Sequence, residues 1–235
     1  MFYILLFTIA ILSRIPYMPN FLYYWDSVNF ALGIHRYNVS EFRPSPPGNF
    51  VYVFLTKPIY MITHDANLSF LIINLLATGF GAIAIYLFSK KLFNKPSAIA
   101  ASLLFLSSPA IYFHSLAAFT YMLDGCFIMF LAYFAYLSLT EIKLKYAILS
   151  AIFLGLSAGA RQQDIVLLFP LFLYGIHKQK FKNIIISILT LAIVCFSWAI
   201  PMIYLSGGVK SYISACKIQA ECGEHGNILI LFNYW

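Results

Sequence analysis

Apolar residues along this chain come in long runs separated by short polar clusters, a pattern that predicts membrane-crossing helices. At about 20 apolar residues per crossing, spans are expected near residues 2–17, 68–88, 98–113 and 122–139. Two shorter runs, 146–160 and 165–176, flank a polar island, Arg161-Gln162-Gln163-Asp164, and a further run covers 184–205. Lysines stand beyond both ends of the 146–176 stretch, and the positive-inside rule wants both ends in the cytoplasm. The stretch is therefore expected to be a hairpin of two short spans with the island at its outer tip. Residues 50–63 are apolar but few, and contain Lys57-Pro58, so they are expected to lie in the outer interface. Residues 27–36 predict a second such helix, with Val28, Ala31, Leu32 and His35 on one face.

The expected fold is all-α: a polytopic integral membrane protein with about seven transmembrane helices and interfacial juxtamembrane helices in the first outer loop. Residues 1–235 form one module, with outer loops at 18–66 and 206–227. Residues 228–235 look like the start of another span, which predicts that the chain is the N-terminal part of a longer protein. Residues 2–12 have no basic segment before them and no small-residue cleavage site after them, so they read as an uncleaved span.

Composition supports this class. Hydrophobic residues make up 62% of the chain and charged residues 10%, whereas a soluble domain carries roughly 25% charged residues. A net charge of +7 would point a soluble protein toward nucleic acid. Here its distribution points to the membrane, with no nucleic-acid partner. Eight lysines (90, 91, 95, 143, 145, 178, 180 and 182) fall in the proposed cytoplasmic turns, opposed by Glu141 alone. Seven of the eight acids and all four arginines fall on the other side. The location expected is a prokaryotic cell membrane, or the endoplasmic reticulum membrane in a eukaryote. Cys126 and Cys195 lie in apolar runs and read as packing groups. Cys216 and Cys222 lie in a polar loop and are expected to pair if that loop meets an oxidising compartment. Glu221, Glu224 and His225 stand near them but match no zinc spacing.

The candidate chemistry lies on the outer side. Asp26, in "FLYYWDSVNFALG", follows Tyr23, Tyr24 and Trp25. It reads as an N-cap of the helix that follows, as a general base partly desolvated by its aromatic neighbours, or as both. Asp124 stands where a span enters the membrane, a costly place for a carboxylate unless it is paired or functional. It reads as a helix cap, a second acid, or a ligand for a divalent metal such as Mg or Mn. Among the arginines, Arg14 and Arg36 are expected to snorkel to the headgroups. Arg161 and Arg43 are the candidates for an anionic ligand, because the guanidinium fork matches phosphate. Lys57 and His35 complete the candidate phosphate-binding set. "RPSPPGN" predicts a stiff turn between the two interfacial helices.

Four stretches together carry a resemblance. "YYWDSVNFALG" resembles the first outer loop of the GT-C class of membrane glycosyltransferases, with its acid at Asp26. "FRPSPPGNFVYV" resembles the PHPPGYP loop of related transferases, with Ser45 in place of His and Asn49-Phe50 in place of Tyr-Pro. "TYMLDGCFIMF" resembles the second outer loop and its acid, Asp124, and "GLSAGARQQDIVLLFPLFLY" resembles the fifth and sixth spans, with a basic residue at Arg161. The likeness is to the dolichyl-phosphate-mannose protein mannosyltransferases and the aminoarabinose transferases of lipid A. Asp26 lacks the second adjacent acid of the former. The resemblance implies inverting transfer of a sugar from a polyprenyl-phosphate donor to a hydroxyl of a protein, lipid or glycan acceptor, on the extracytoplasmic face. A transporter or flippase for a lipid-linked or anionic substrate is the competing reading, and a non-catalytic membrane assembly subunit is a third.

Overall fold

The computed structural model describes residues 2–224. Its elements are eleven α-helices, with two 3-10 turns and no strand among the described residues. The helices are α1 (Phe2–Leu12), α2 (Trp25–His35), α3 (Phe50–Thr63), α4 (Ala66–Leu92), α5 (Lys95–Ser107) and α6 (Pro109–Ser115). They continue with α7 (Tyr121–Glu141), α8 (Leu144–Ala160), α9 (Asp164–Ile176), α10 (Phe181–Leu205) and α11 (Val209–Glu224). The expected start of a further span at 228–235, and His225, lie outside the described residues.

Local chemistry sets the helix ends. Asp65 accepts a hydrogen bond from the Leu68 amide at 3.0 Å and starts α4, and Asn94 accepts from Ser97 at 2.9 Å and starts α5. Such caps satisfy amides that have no partner in the first turn. Pro109 cannot continue the α5 ladder, and the axis turns by 58° into α6. The expected span at 98–113 is therefore bent. Arg14 holds that bend. Its guanidinium donates to the Leu106 carbonyl at 2.9 Å and to Ser115 Oγ at 2.8 Å, and it is only 1% exposed. The snorkelling expected of Arg14 is thus replaced by burial, because carbonyls freed at the break need donors. Arg36 is exposed and pairs with Glu41 at 3.0 Å.

α4, α7 and α10 are long and apolar enough to cross a membrane, and the bent α5–α6 pair makes a fourth candidate span. The other crossings in the expected seven fall on shorter helices. α8 has 17 residues and α9 has 13, or about 25 Å and about 20 Å at 1.5 Å per residue. α4 packs against α1, α5 and α7, and α7 continues the bundle onto α8 and α9, with α10 against α8. The α8–α10 approach is close because Gly155 and Gly159 stand one turn apart. A Cβ at Gly155 would meet Val194, and one at Gly159 would meet Val51 and Trp198. Trp198 Nε1 uses that closeness to donate to the Gly155 carbonyl at 2.9 Å, as small-residue spacing permits in membranes.

Glu141 binds Lys91 at 3.0 Å and Lys143 at 2.9 Å, while Gln179 donates to the Ser138 carbonyl at 3.0 Å. These contacts bring the three lysine-bearing turns to one end of the bundle. Hydrogen bonding to Glu141 raises the Lys143 pKa. The opposite end carries α2, α3 and α11. The late segment that was expected to be a loop is mostly this helix, α11. Cys216 and Cys222 are six residues apart on it, so their Cα atoms are about 9 Å apart along the axis. The expected pairing rests on the Cys222 side chain, which lies outside the described residues.

Candidate active site

The loop between α2 and α3 forms one wall of the site, and it is tied down along its length. Asn38 and Arg43 exchange backbone hydrogen bonds, closing a tight turn. Tyr37 donates its hydroxyl to the Gly48 carbonyl at 2.7 Å, and burial pushes that phenol's pKa up, keeping it a donor. Gly48 has φ +112°, and a Cβ there would strike Tyr37 and Val39, so glycine is required. Gln162 and Tyr212 both donate to the Pro47 carbonyl, at 3.2 and 3.1 Å, and Asn49 donates to the Ala160 carbonyl at 2.7 Å. These bonds dock the loop onto the α8–α9 turn and α11. The stiffness expected of "RPSPPGN" is present, in the form of a pinned turn.

Asp26 lies in the first turn of α2, whose N-cap is Tyr24, and makes no capping bond. The N-cap reading is therefore corrected, because the helix begins one residue before Asp26. Trp25 is 79% exposed, while Tyr24 packs edge-on against Phe119, which lines the same cavity as Asp26. Asp26 instead accepts from Ser45 Oγ at 3.3 Å, and Ser45 accepts from Asn29 Nδ2 at 2.6 Å. α2 is held in place by Ser27, which donates to the Ala118 carbonyl at 2.7 Å.

Arg161 stands at the turn between α8 and α9. Its guanidinium lies 5.0 Å from the centre of the Tyr121 ring, with Nε 4.0 Å from Asp124 Oδ2. Asp124 lies in the first turn of α7, buried and without a capping bond, so its helix-cap reading is corrected too. Ser157 lies between Asp124 and Asp164, 2.8 Å from Oδ1 of the first and 2.5 Å from Oδ2 of the second.

A cavity of about 200 Å³ joins these parts. Asp26, Ser45, Asn49, Tyr121, Arg161 and Gln162 line it, so two of the sequence-predicted residues face one space. Asp124 is behind Arg161, touching it from the protein side. The remaining three lie elsewhere. Arg43 is beside Glu41 at 4.0 Å, His35 is 3.4 Å from the Tyr60 hydroxyl, and Lys57 lies over the Phe54 ring at 5.8 Å. None of them lines the cavity. For a divalent metal, no three His, Cys, Asp or Glu side chains converge among the described residues. The carboxylate of Asp124 already faces a guanidinium and a hydroxyl, so the residues present do not fit a metal.

Below the polar cavity, toward the lysine-bearing end, a wholly apolar groove of about 430 Å³ opens between α4, α7 and α8. Ile73, Phe80, Leu123, Phe127, Phe130 and Phe153 line it. Sequence reading missed Ser157, Asp164, Asn29 and Gln162 as site residues. Ser157 ends up beside Asp164 only because the chain turns between α8 and α9, so no helix-face interval groups them in the sequence.

The family model of the dolichyl-phosphate-mannose-protein mannosyltransferases matches residues 45–204, more than half of the chain. The matched interval includes Ser45, Asp124, Ser157, Arg161 and Asp164, and begins after Asp26. No curated protein and no solved structure matches the chain.

Proposed function

We propose that this chain, which belongs to the dolichyl-phosphate-mannose-protein mannosyltransferase family, carries the catalytic centre of an inverting GT-C glycosyltransferase. The donor is a sugar on a polyprenyl phosphate and the acceptor is a hydroxyl group. The observation that carries this reading is the single cavity in which the Asp26 carboxylate and the Arg161 guanidinium both appear. In the reaction, Asp26 takes the proton from the acceptor hydroxyl, whose oxygen attacks the anomeric carbon from the face opposite the phosphate. The bond from that carbon to the phosphate oxygen breaks, and the lipid phosphate leaves with the bonding pair. Arg161 meets the developing negative charge on the phosphate. Ser45 orients the Asp26 carboxyl through its hydrogen bond. The apolar groove between α4, α7 and α8 takes the first isoprene units of the donor, which accounts for chemistry at the membrane edge.

In this reading the chain crosses the membrane seven times, through α1, α4, α5–α6, α7, α8, α9 and α10. The short α8 and α9 cross as a hairpin, and α2, α3 and α11 lie in the interface on the extracytoplasmic side. Asp26→Asn in the full-length protein tests the assignment, with labelled polyprenyl-phosphate sugars as donors. Transfer is expected to fall by about 10³-fold, with donor binding retained because the side chain keeps its volume. Wild-type transfer by that variant would remove Asp26 from the mechanism.

A further inference from the structure

The buried trio of Asp124, Ser157 and Asp164 does work that the transfer step leaves unassigned. Both carboxyls are almost fully enclosed, 4% and 5% exposed. Each has an oxygen within hydrogen-bond distance of the one Ser157 hydroxyl. A hydroxyl carries one hydrogen, so it donates to only one of them. The other contact needs its hydrogen from the carboxyl. Two ionised carboxylates here would also set two negative charges against one guanidinium in an enclosed site, a costly imbalance.

We infer that Asp124 and Asp164 hold one proton between them across Ser157, and that Asp164 is thereby a positioning residue for Arg161. Ser157 donates to one carboxyl and accepts from the other. The pair then carries a single negative charge, with its Asp124 member 4.0 Å from Arg161 Nε. One anion then balances one cation, and the outward N–H groups of Arg161 stay free for a phosphate in the cavity. The other groups facing Arg161 are Tyr121, under its guanidinium, and Asp26, across the cavity. The backbone holds the same geometry, since Arg161 N–H donates to the Ser157 carbonyl at 2.7 Å and Asp164 N–H to the Arg161 carbonyl at 3.0 Å. The functional part of this inference rests on Arg161 as the phosphate ligand, while the shared proton does not depend on it.

Two readouts on the full-length protein in detergent test it. Infrared spectroscopy separates the C=O stretch of a protonated carboxyl from the bands of carboxylates. At neutral pH the wild type is expected to show such a band, and Asp164→Asn to lose it, because the amide then donates to Ser157. In transfer assays, Asp164→Ala is expected to raise the donor KM about tenfold with kcat little changed. Ser157 is then free to bond a carbonyl one turn back in its own helix, and Asp124 draws Arg161 out of the cavity. Asp164→Asn is expected to restore KM to within about threefold of wild type. No protonated-carboxyl band in the wild type, a band that persists in Asp164→Asn, or an Asn variant no better than Ala overturns the inference. Should Asp164→Asn fail to fold, Ser157→Ala is expected to shift the band, and an unshifted band overturns it equally. A wild-type band that Asp164→Asn removes, in a protein that transfers no sugar, supports the shared proton and overturns the transferase reading alone.

Discussion

Asp26 is oriented by a hydroxyl that is itself oriented by an amide, since Asn29 donates to Ser45 and Ser45 donates to Asp26. Ser45→Ala is expected to lower kcat about tenfold while leaving the donor KM near wild type, because the bond it removes holds the base and not the donor. Steady-state kinetics with a lipid-linked donor separates the two effects. Arg161→Ala is expected to do the opposite and raise the donor KM by about 10- to 100-fold, and Arg161→Lys to recover only part of it, the bidentate fork being lost. Asp26, Asp124 and Arg161 were legible in the sequence because a charge at the edge of an apolar run stands out against its cost. Ser157 and Asp164 were not, because their role depends on a turn folding back one helix on another. Arg43, Lys57 and His35 were grouped with the site by charge and proximity in sequence, but each satisfies a local partner outside the cavity.

At the scale of elements, α8 carries the site because it can approach α10 closely. Gly159→Ala would drive a methyl group into Val51 and Trp198. It is expected to destabilise the protein by about 1–3 kcal/mol through overpacking, seen as a lower thermal unfolding midpoint in detergent, with Gly125→Ala as a control at a position where a Cβ meets nothing within 4 Å. The α8–α9 hairpin and the helices at 27–36 and 50–63 were readable from lysine flanks, prolines and apolar runs. The bend at Pro109 was not, since an apolar run looks the same straight or broken. α11 was not either, because Lys210, Ser211, Lys217 and Gln219 make its sequence look like a polar loop, while its helical face packs Ala215 inward.

Across the whole molecule, electrostatics and packing make the same division. Lys91 and Lys143 meet at Glu141, and Gln179 ties the third lysine-bearing turn to Ser138 at the same end, while the cavity with Asp26 and Arg161 lies at the other. Charge order along the sequence was enough to anticipate this, because lysine placement at span ends responds to the membrane itself and not to tertiary detail. The two ends should therefore differ in access. Val209 starts α11 and is well exposed at the cavity end, and Asn94 is exposed at the lysine end. A cysteine introduced at Val209 is expected to react with a membrane-impermeant thiol reagent added to intact cells or sealed vesicles of native orientation. One introduced at Asn94 is expected to react only after the membrane is opened. Both variants are best read in a background lacking Cys216 and Cys222, so that native thiols on α11 do not contribute. The reverse labelling pattern would put Asp26 and Arg161 on the cytoplasmic side, where an acceptor outside the cell could not reach them.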